Sequence, residues 1–353
     1  IEEKVNGKAR YGIDARVPNM VFGKVSLAPT RLGSTIEYIN DASAREEIDG
    51  YLQTLSINTL GFPGSGERRT DVALVVAESY PAAMRAEKTI SVKWRVPDSQ
   101  LVNSEELHSG AKASTSSDDF HTFVKVGNAD QALSASDEVV TAEYRTEMIE
   151  HAALEPRSAL VQKVDGTYHI YSGCHSGAVL IQSIAAELGV PVENVVYHPH
   201  LIGGSFGDKI YTDQILAAAK ACKELDRPVK VMLTREDQFN LGHPKTISYQ
   251  ALSAGISNND ALSYPKRILG MKHDLVAGPS FERVMPGTVY DNADAQQGAM
   301  TEVVGGVGVV SGSDHSYDVE NLDVKYFPYY RMNELVPVGA VPTVGSFFTV
   351  FAV

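Results

Sequence analysis

Gly203-Gly204-Ser205-Phe206-Gly207 stands between an apolar segment, Leu201-Ile202, and a helix-like segment that opens near Thr212. Glycine permits positive φ and close backbone approach, so this stretch reads as a tight strand-to-helix turn. The N–H groups of such a turn, together with the positive end of the helix dipole, can face an anion. The common nucleotide motifs do not fit. No Gly-Lys-Ser/Thr follows four variable residues, and the spacing is not the dinucleotide GxGxxG. Taken alone, a strand, a glycine turn and a helix are more often just a connection. Phe206 argues for more, because a turn tip exposes what it carries.

Around the turn the chain mixes strands and helices. Residues 20–27 read as a strand, and Asp71-Val72-Ala73-Leu74-Val75-Val76-Ala77 as a more fully buried one. A helix over 79–87 follows, with Ser79 as N-cap and Pro81 in the first turn. Ile90, Val92 and Trp94 then alternate with strand periodicity. Residues 97–120 shift to Ser, Asp, Glu, Gly and Lys and read as a linker, because they carry too little apolar surface to offset the cost of ordering. Beyond them come strands at 138–144, 158–163, 167–171 and 194–197, and a helix over 176–188 stopped by Gly189 and Pro191. After the turn, a helix runs from Thr212 to about Leu225, and a strand covers Val229-Lys230-Val231-Met232-Leu233. The expected class is α+β, with a domain at 1–96, a linker at 97–120 and a larger domain at 121–353.

Charge and cysteine usage exclude several functions. The net charge of −13, without a basic cluster, opposes nucleic-acid binding. Cys174 and Cys222 are the only cysteines and show no CxxC or Cys/His spacing, so iron–sulfur clusters and zinc are not expected on this chain. FAD and NAD are not expected either. No apolar run reaches the roughly 20 residues of a membrane-spanning helix, and the start at Ile1-Glu2-Glu3-Lys4 lacks a signal-peptide layout, so a soluble chain is expected.

Four sets of residues, in order, give a more specific reading: 4–14 (KVNGKARYGID), 72–80 (VALVVAESY), 150–156 (EHAALEP), and 202–207 (IGGSFG) with 228–236 (PVKVMLTRE). Together they resemble the molybdopterin-binding large subunit of the xanthine dehydrogenase and aldehyde oxidoreductase family, in its isoquinoline 1-oxidoreductase and membrane-bound aldehyde dehydrogenase branch. The resemblance implies an α/β hammerhead over about 1–96, followed by part of a molybdopterin-binding domain of mixed sheets and helices. It implies a molybdenum hydroxylase that oxidises an aldehyde or an N-heteroaromatic carbon with water. The cofactor would be molybdopterin with molybdenum, in the cytosine dinucleotide form, approached by Gly203, Gly204, Ser205, Phe206 and Gly207. His175 stands where the family has a Gln that donates to an oxo ligand.

The resemblance also implies partners: a [2Fe–2S] subunit that takes the electrons, a further molybdopterin-domain chain, and a cytochrome or FAD subunit, in a periplasmic or membrane-associated setting. The family's general-base Glu would lie beyond Val353, so the catalytic residue is not assigned, and no protein side chain is expected to ligate the metal. Three positions depart from the family pattern. Ser205 replaces a glycine, His175 the Gln, and Pro342 the active-site Arg. These departures leave a second function open, a non-catalytic scaffold or assembly subunit that keeps the fold.

Other groups have plain readings. His198-Pro199-His200 has spacing that could hold a metal but lacks a third ligand. Glu155 reads as structural and Cys174 as a small buried residue. The 303–310 run reads as a β-turn region, and Phe327-Pro328-Tyr329-Tyr330 as packing or as the wall of a substrate funnel.

Overall fold

The computed structural model describes residues 2–59, 70–258, 266–279, 310, 312–313, 317–339 and 346–353. Pro342 and most of the 303–310 run lie outside the described residues. The strands are β1 Val21–Ser26, β2 Thr35–Asn40, β3 Tyr51–Thr59, β4 Thr70–Ala77, β5 Ser91–Arg95, β6 His121–Val126, β7 Glu138–Thr146, β8 Ser158–Val164, β9 Thr167–Ser172, β10 Val195–Pro199, β11 Val229–Met232, β12 Ser248–Asn258, β13 Lys266–Ala277 and β14 Leu322–Pro328.

The chain divides into two compact units, Ile1–Leu101 with Glu150–His243, and Val102–Ile149 with Pro244–Val353. In the first, a seven-stranded sheet runs in the order β10-β9-β8-β11-β1-β4-β3. Strand β1 joins the two chain segments of this unit. It pairs antiparallel with β4 through Phe22 and Ala77, and parallel with β11 through Val21 and Val229. The N-terminal residues therefore share their main sheet with residues 158–232, which places the division of the chain elsewhere than 96–97. The physical reason lies in the apolar run of β4. From Val72 to Ala77 every residue is buried, so the strand sits inside a sheet covered on both faces. A separate two-stranded ribbon pairs β2 with β5, where Val92 and Trp94 alternate with exposed neighbours as their periodicity demands.

The helices of this unit follow their sequence signals. Ser79 accepts the Ala82 N–H and caps the helix Tyr80–Glu87. The helix Gly177–Leu188 buries Leu180, Ile184, Ala185 and Leu188 and ends on Gly189 at φ +65. That left-handed cap is the conformation glycine adopts without a Cβ penalty. Asp213–Leu225 packs on β8 and β11, with Ile215, Leu216, Ala217, Ala218, Ala219, Ala221 and Cys222 buried in the main core.

In the second unit a five-stranded sheet has the order β6-β14-β13-β12-β7. Residues 97–120, expected to be a linker, contain the helix Ser104–Ser114. Its composition is polar, but Leu107 and Ala111 lie one helical turn apart and are buried in a cluster with Ile247, Val276, Phe327, Met332 and Leu335. Asn103 caps it by accepting the Glu106 N–H. Phe327 is thus a core residue, only 3% exposed, and Tyr330 is exposed. Among the described residues no helix is long and apolar enough to cross a membrane.

Candidate functional site

The glycine turn leaves the short bridge that Leu201 makes with Tyr11 and leads into the 3-10 turn Asp208–Ile210, ahead of the helix Asp213–Leu225. Its backbone is left-handed at Gly204 (φ +88), Phe206 (φ +57) and Gly207 (φ +100). For a bulky residue such as Phe206 this conformation is an outlier that the surroundings must enforce. The Phe206 side chain is 53% exposed. Among the described residues, no hydrogen bond engages the N–H groups of Gly204, Ser205, Phe206 or Gly207. Four successive unengaged donors on a backbone of mixed handedness form the kind of concavity that binds anionic oxygens.

Ser205 does not close this concavity. Its residue is buried, and its hydroxyl accepts the Lys209 N–H at 2.9 Å, capping the 3-10 turn that follows. His175 is exposed, and its backbone N–H donates to the Lys209 carbonyl at 3.1 Å. The two candidate stretches are therefore brought together by backbone contact. Cys174, next to His175, is half-buried against the core, and burial raises its thiol above the ordinary range.

Glu155 joins the turn to the rest of the unit. One carboxylate oxygen accepts the Gly203 N–H at 2.7 Å and meets the Lys209 ammonium at 2.5 Å. The other accepts the Ile13 N–H at 3.0 Å. The Glu155 N–H donates to the Gly203 carbonyl at 3.0 Å. A Cβ at Gly203 would lie 2.6 Å from the Glu155 Cβ, so this close approach requires glycine. Lys230 completes the assembly. It is fully buried and donates to the Ile13 and Ala15 carbonyls, and burial lowers its ammonium to about 7. A neutral amine can still donate both bonds. Residues 4–14, 150–156, 202–207 and 228–236 thus meet at one place.

Behind the turn lies a buried polar network. Gln238 Nε2 donates to Asp208 Oδ2 at 2.6 Å, and Arg157 Nε lies 3.5 Å from Asp208 Oδ1. Arg157 also donates to Asp213 Oδ2 at 3.1 Å, and His243 Nε2 lies 2.8 Å from the same oxygen. Tyr211 stacks on His243 with ring centroids 3.6 Å apart. Arg31 meets Glu150 at 2.8 Å, whose carboxyl is raised by burial to about 7. None of these residues was singled out as a site residue from sequence. The available signal was charge beside apolar sequence: Arg157 directly precedes the buried run 158–161, and Asp213 opens a helix whose residues 215–219 are apolar.

His198 stacks on Tyr171 and on His169, whose Nδ1 lies 2.9 Å from His198 Nε2. Among the described residues no three His, Cys, Asp or Glu side chains gather as metal ligands.

Residues 112–278 match the family model of the molybdopterin cofactor-binding domain. Over most of its length the chain is similar to molybdenum-binding subunits of aldehyde and xanthine oxidoreductases. The region matching the molybdopterin cofactor-binding domain includes the glycine turn, Glu155, Arg157 and Asp208. A membrane-bound aldehyde dehydrogenase (pyrroloquinoline-quinone) of Gluconacetobacter polyoxogenes is 29% identical over 324 residues, covering 90% of this chain and 39% of that one. The isoquinoline 1-oxidoreductase subunit beta of Brevundimonas diminuta is 27% identical, covering 84% of this chain and 36% of its own length. The chain thus spans less than two-fifths of these relatives. In structure it is similar to the aldehyde oxidoreductase of Desulfovibrio gigas, with a TM-score of 0.71 at 16% identity over 99% of this chain and 39% of that one. Quinoline 2-oxidoreductase of Pseudomonas putida 86 gives 0.70 at 17% identity, covering 98% of this chain and 45% of that one. The mixed sheet-and-helix class expected from sequence matches this fold.

Proposed function

We propose that this chain builds the glycine-turn side of a molybdenum-cofactor site in an oxidoreductase that hydroxylates an aldehyde or an N-heteroaromatic carbon with water. The observation that carries this reading is the row of N–H groups from Gly204 to Gly207 that no hydrogen bond engages among the described residues, held on a backbone only small residues adopt easily. These donors fit a group that presents anionic oxygens, in the manner of preorganised oxyanion sites. When bound, the molybdenum–pterin group supplies a two-electron sink. Gly204, Ser205, Phe206 and Gly207 hold it by backbone donation, and His175, tied to Lys209 through its N–H, offers an exposed imidazole as a further donor. The cytosine dinucleotide form of the cofactor and electron release through [2Fe–2S] clusters on a partner subunit belong to the same reading.

Metal analysis and mass spectrometry of the group extracted from the intact purified complex test it. Molybdenum and a pterin dinucleotide are expected; pyrroloquinoline quinone in place of a pterin, the group in the name of the Gluconacetobacter relative, would overturn it. Gly207→Ala places a Cβ at φ +100, a strain of about 1–2 kcal/mol, so molybdenum affinity is expected to fall about tenfold.

A further inference from the structure

We infer that Glu155 and Lys209 are positioning residues that set the aim of the turn's free N–H groups, an inference resting on the molybdenum-cofactor reading above. The Glu155 carboxylate touches both sides of the turn, Gly203 before it and Lys209 after it. The four unengaged donors lie between these two contacts. Both side chains are buried, with 3% and 8% of Lys209 and Glu155 exposed. A buried ion pair adds little net stability over apolar residues of the same shape, because desolvation offsets attraction. Packing alone therefore gives no reason for charge here. Geometry does.

The five residues 203–207 adopt three left-handed conformations, one of them on Phe206, and among the described residues no hydrogen bond holds the N–H groups from Gly204 to Gly207. Such a loop would relax unless its ends were fixed at a set separation. Glu155 fixes them, and through its bond to the Ile13 N–H it references them to the N-terminal segment. Asp208, the residue before Lys209, is separately secured by Gln238 and Arg157, which adds a second anchor at this end of the turn. Glu155 and Lys209 do not themselves have to touch the cofactor. Their effect reaches it through the direction of four donors.

The test uses the complete protein with its partner subunits and reads two quantities, the thermal midpoint and the rate at which molybdenum is lost on dialysis. Lys209→Met leaves the Glu155 carboxylate buried and unpaired, so both stability and retention are expected to fall. The double variant Glu155→Gln with Lys209→Met removes both charges. It is expected to recover most of the thermal midpoint while still losing molybdenum about tenfold faster than the wild type. Lys209→Arg keeps the charge and is expected to restore most of the retention. If the double variant recovers midpoint and retention together, the pair is merely structural and the inference is overturned. A wild-type complex that contains no molybdenum overturns the cofactor reading itself, and this inference with it, before any variant is compared.

Discussion

The two units use charge in different ways. Beside exposed pairs such as Lys163 with Asp226, the first buries others: Lys24 with Asp237 (8% and 9% exposed), Arg157 with Asp213 (0% and 6%), and Lys209 with Glu155. In the second, Lys112 pairs with Glu143 (58% and 55% exposed) and Arg145 with Glu105 (53% and 73%), on a unit whose main interior cluster is apolar. Exposed pairs of this sort contribute little, since water and salt screen them. Buried ones are costly to form and costly to break. Two of these buried pairs, Arg157 with Asp213 and Lys209 with Glu155, join the network at residues 203–213, where the backbone takes left-handed conformations that apolar packing would not select.

The largest expected effect comes from Arg157. Replacing it with Met leaves Asp208 and Asp213 buried without their cation, and the comparison predicts a loss of about 3–5 kcal/mol in chemical denaturation. A loss below about 1 kcal/mol would break the contrast between the units, because it would put the network on a par with surface pairs. Glu150 gives an intermediate effect with a defined pH dependence. Burial raises its carboxyl from 4.5 to about 7, so the folded protein holds this proton more tightly than the unfolded chain. Its stabilising contribution is full below pH 4.5 and is lost as pH rises through about 7. Relative to Glu150→Gln, the wild type should lose roughly 3 kcal/mol between about pH 4.5 and pH 8, measured by denaturant midpoints at each pH. An unchanged difference across that range would show that Arg31 already holds the carboxyl ionised. The smallest effect belongs to Lys112→Ala, which should leave the denaturation midpoint within experimental error.

Much of the first unit was legible in the sequence because its signals are local. The run 71–77, Ser79 before its helix and Gly189 after another each specify backbone conformation through neighbours a few residues away. The glycine turn was legible for the same reason. The helix at Ser104–Ser114 was not, since its two buried apolar positions sit among polar residues and only the β-sheet beneath them supplies the burial. Nor did composition reveal that β1 would pair with both β4 and β11, because strand partners at that separation in sequence leave no mark on either strand.

By itself, then, the sequence determined where the chain turns, which segments are apolar throughout, and that the glycines at 203, 204 and 207 permit close approach and positive φ. Those properties follow from φ preferences and periodicity. Only the tertiary structure decided what surrounds the turn. It set the Glu155 carboxylate between Gly203 and Lys209, turned the Ser205 hydroxyl onto the Lys209 N–H, and placed Arg157 between Asp208 and Asp213. The physical reason is that a buried charge is tolerable only beside its partners, and those partners are brought together by folding from positions tens of residues apart.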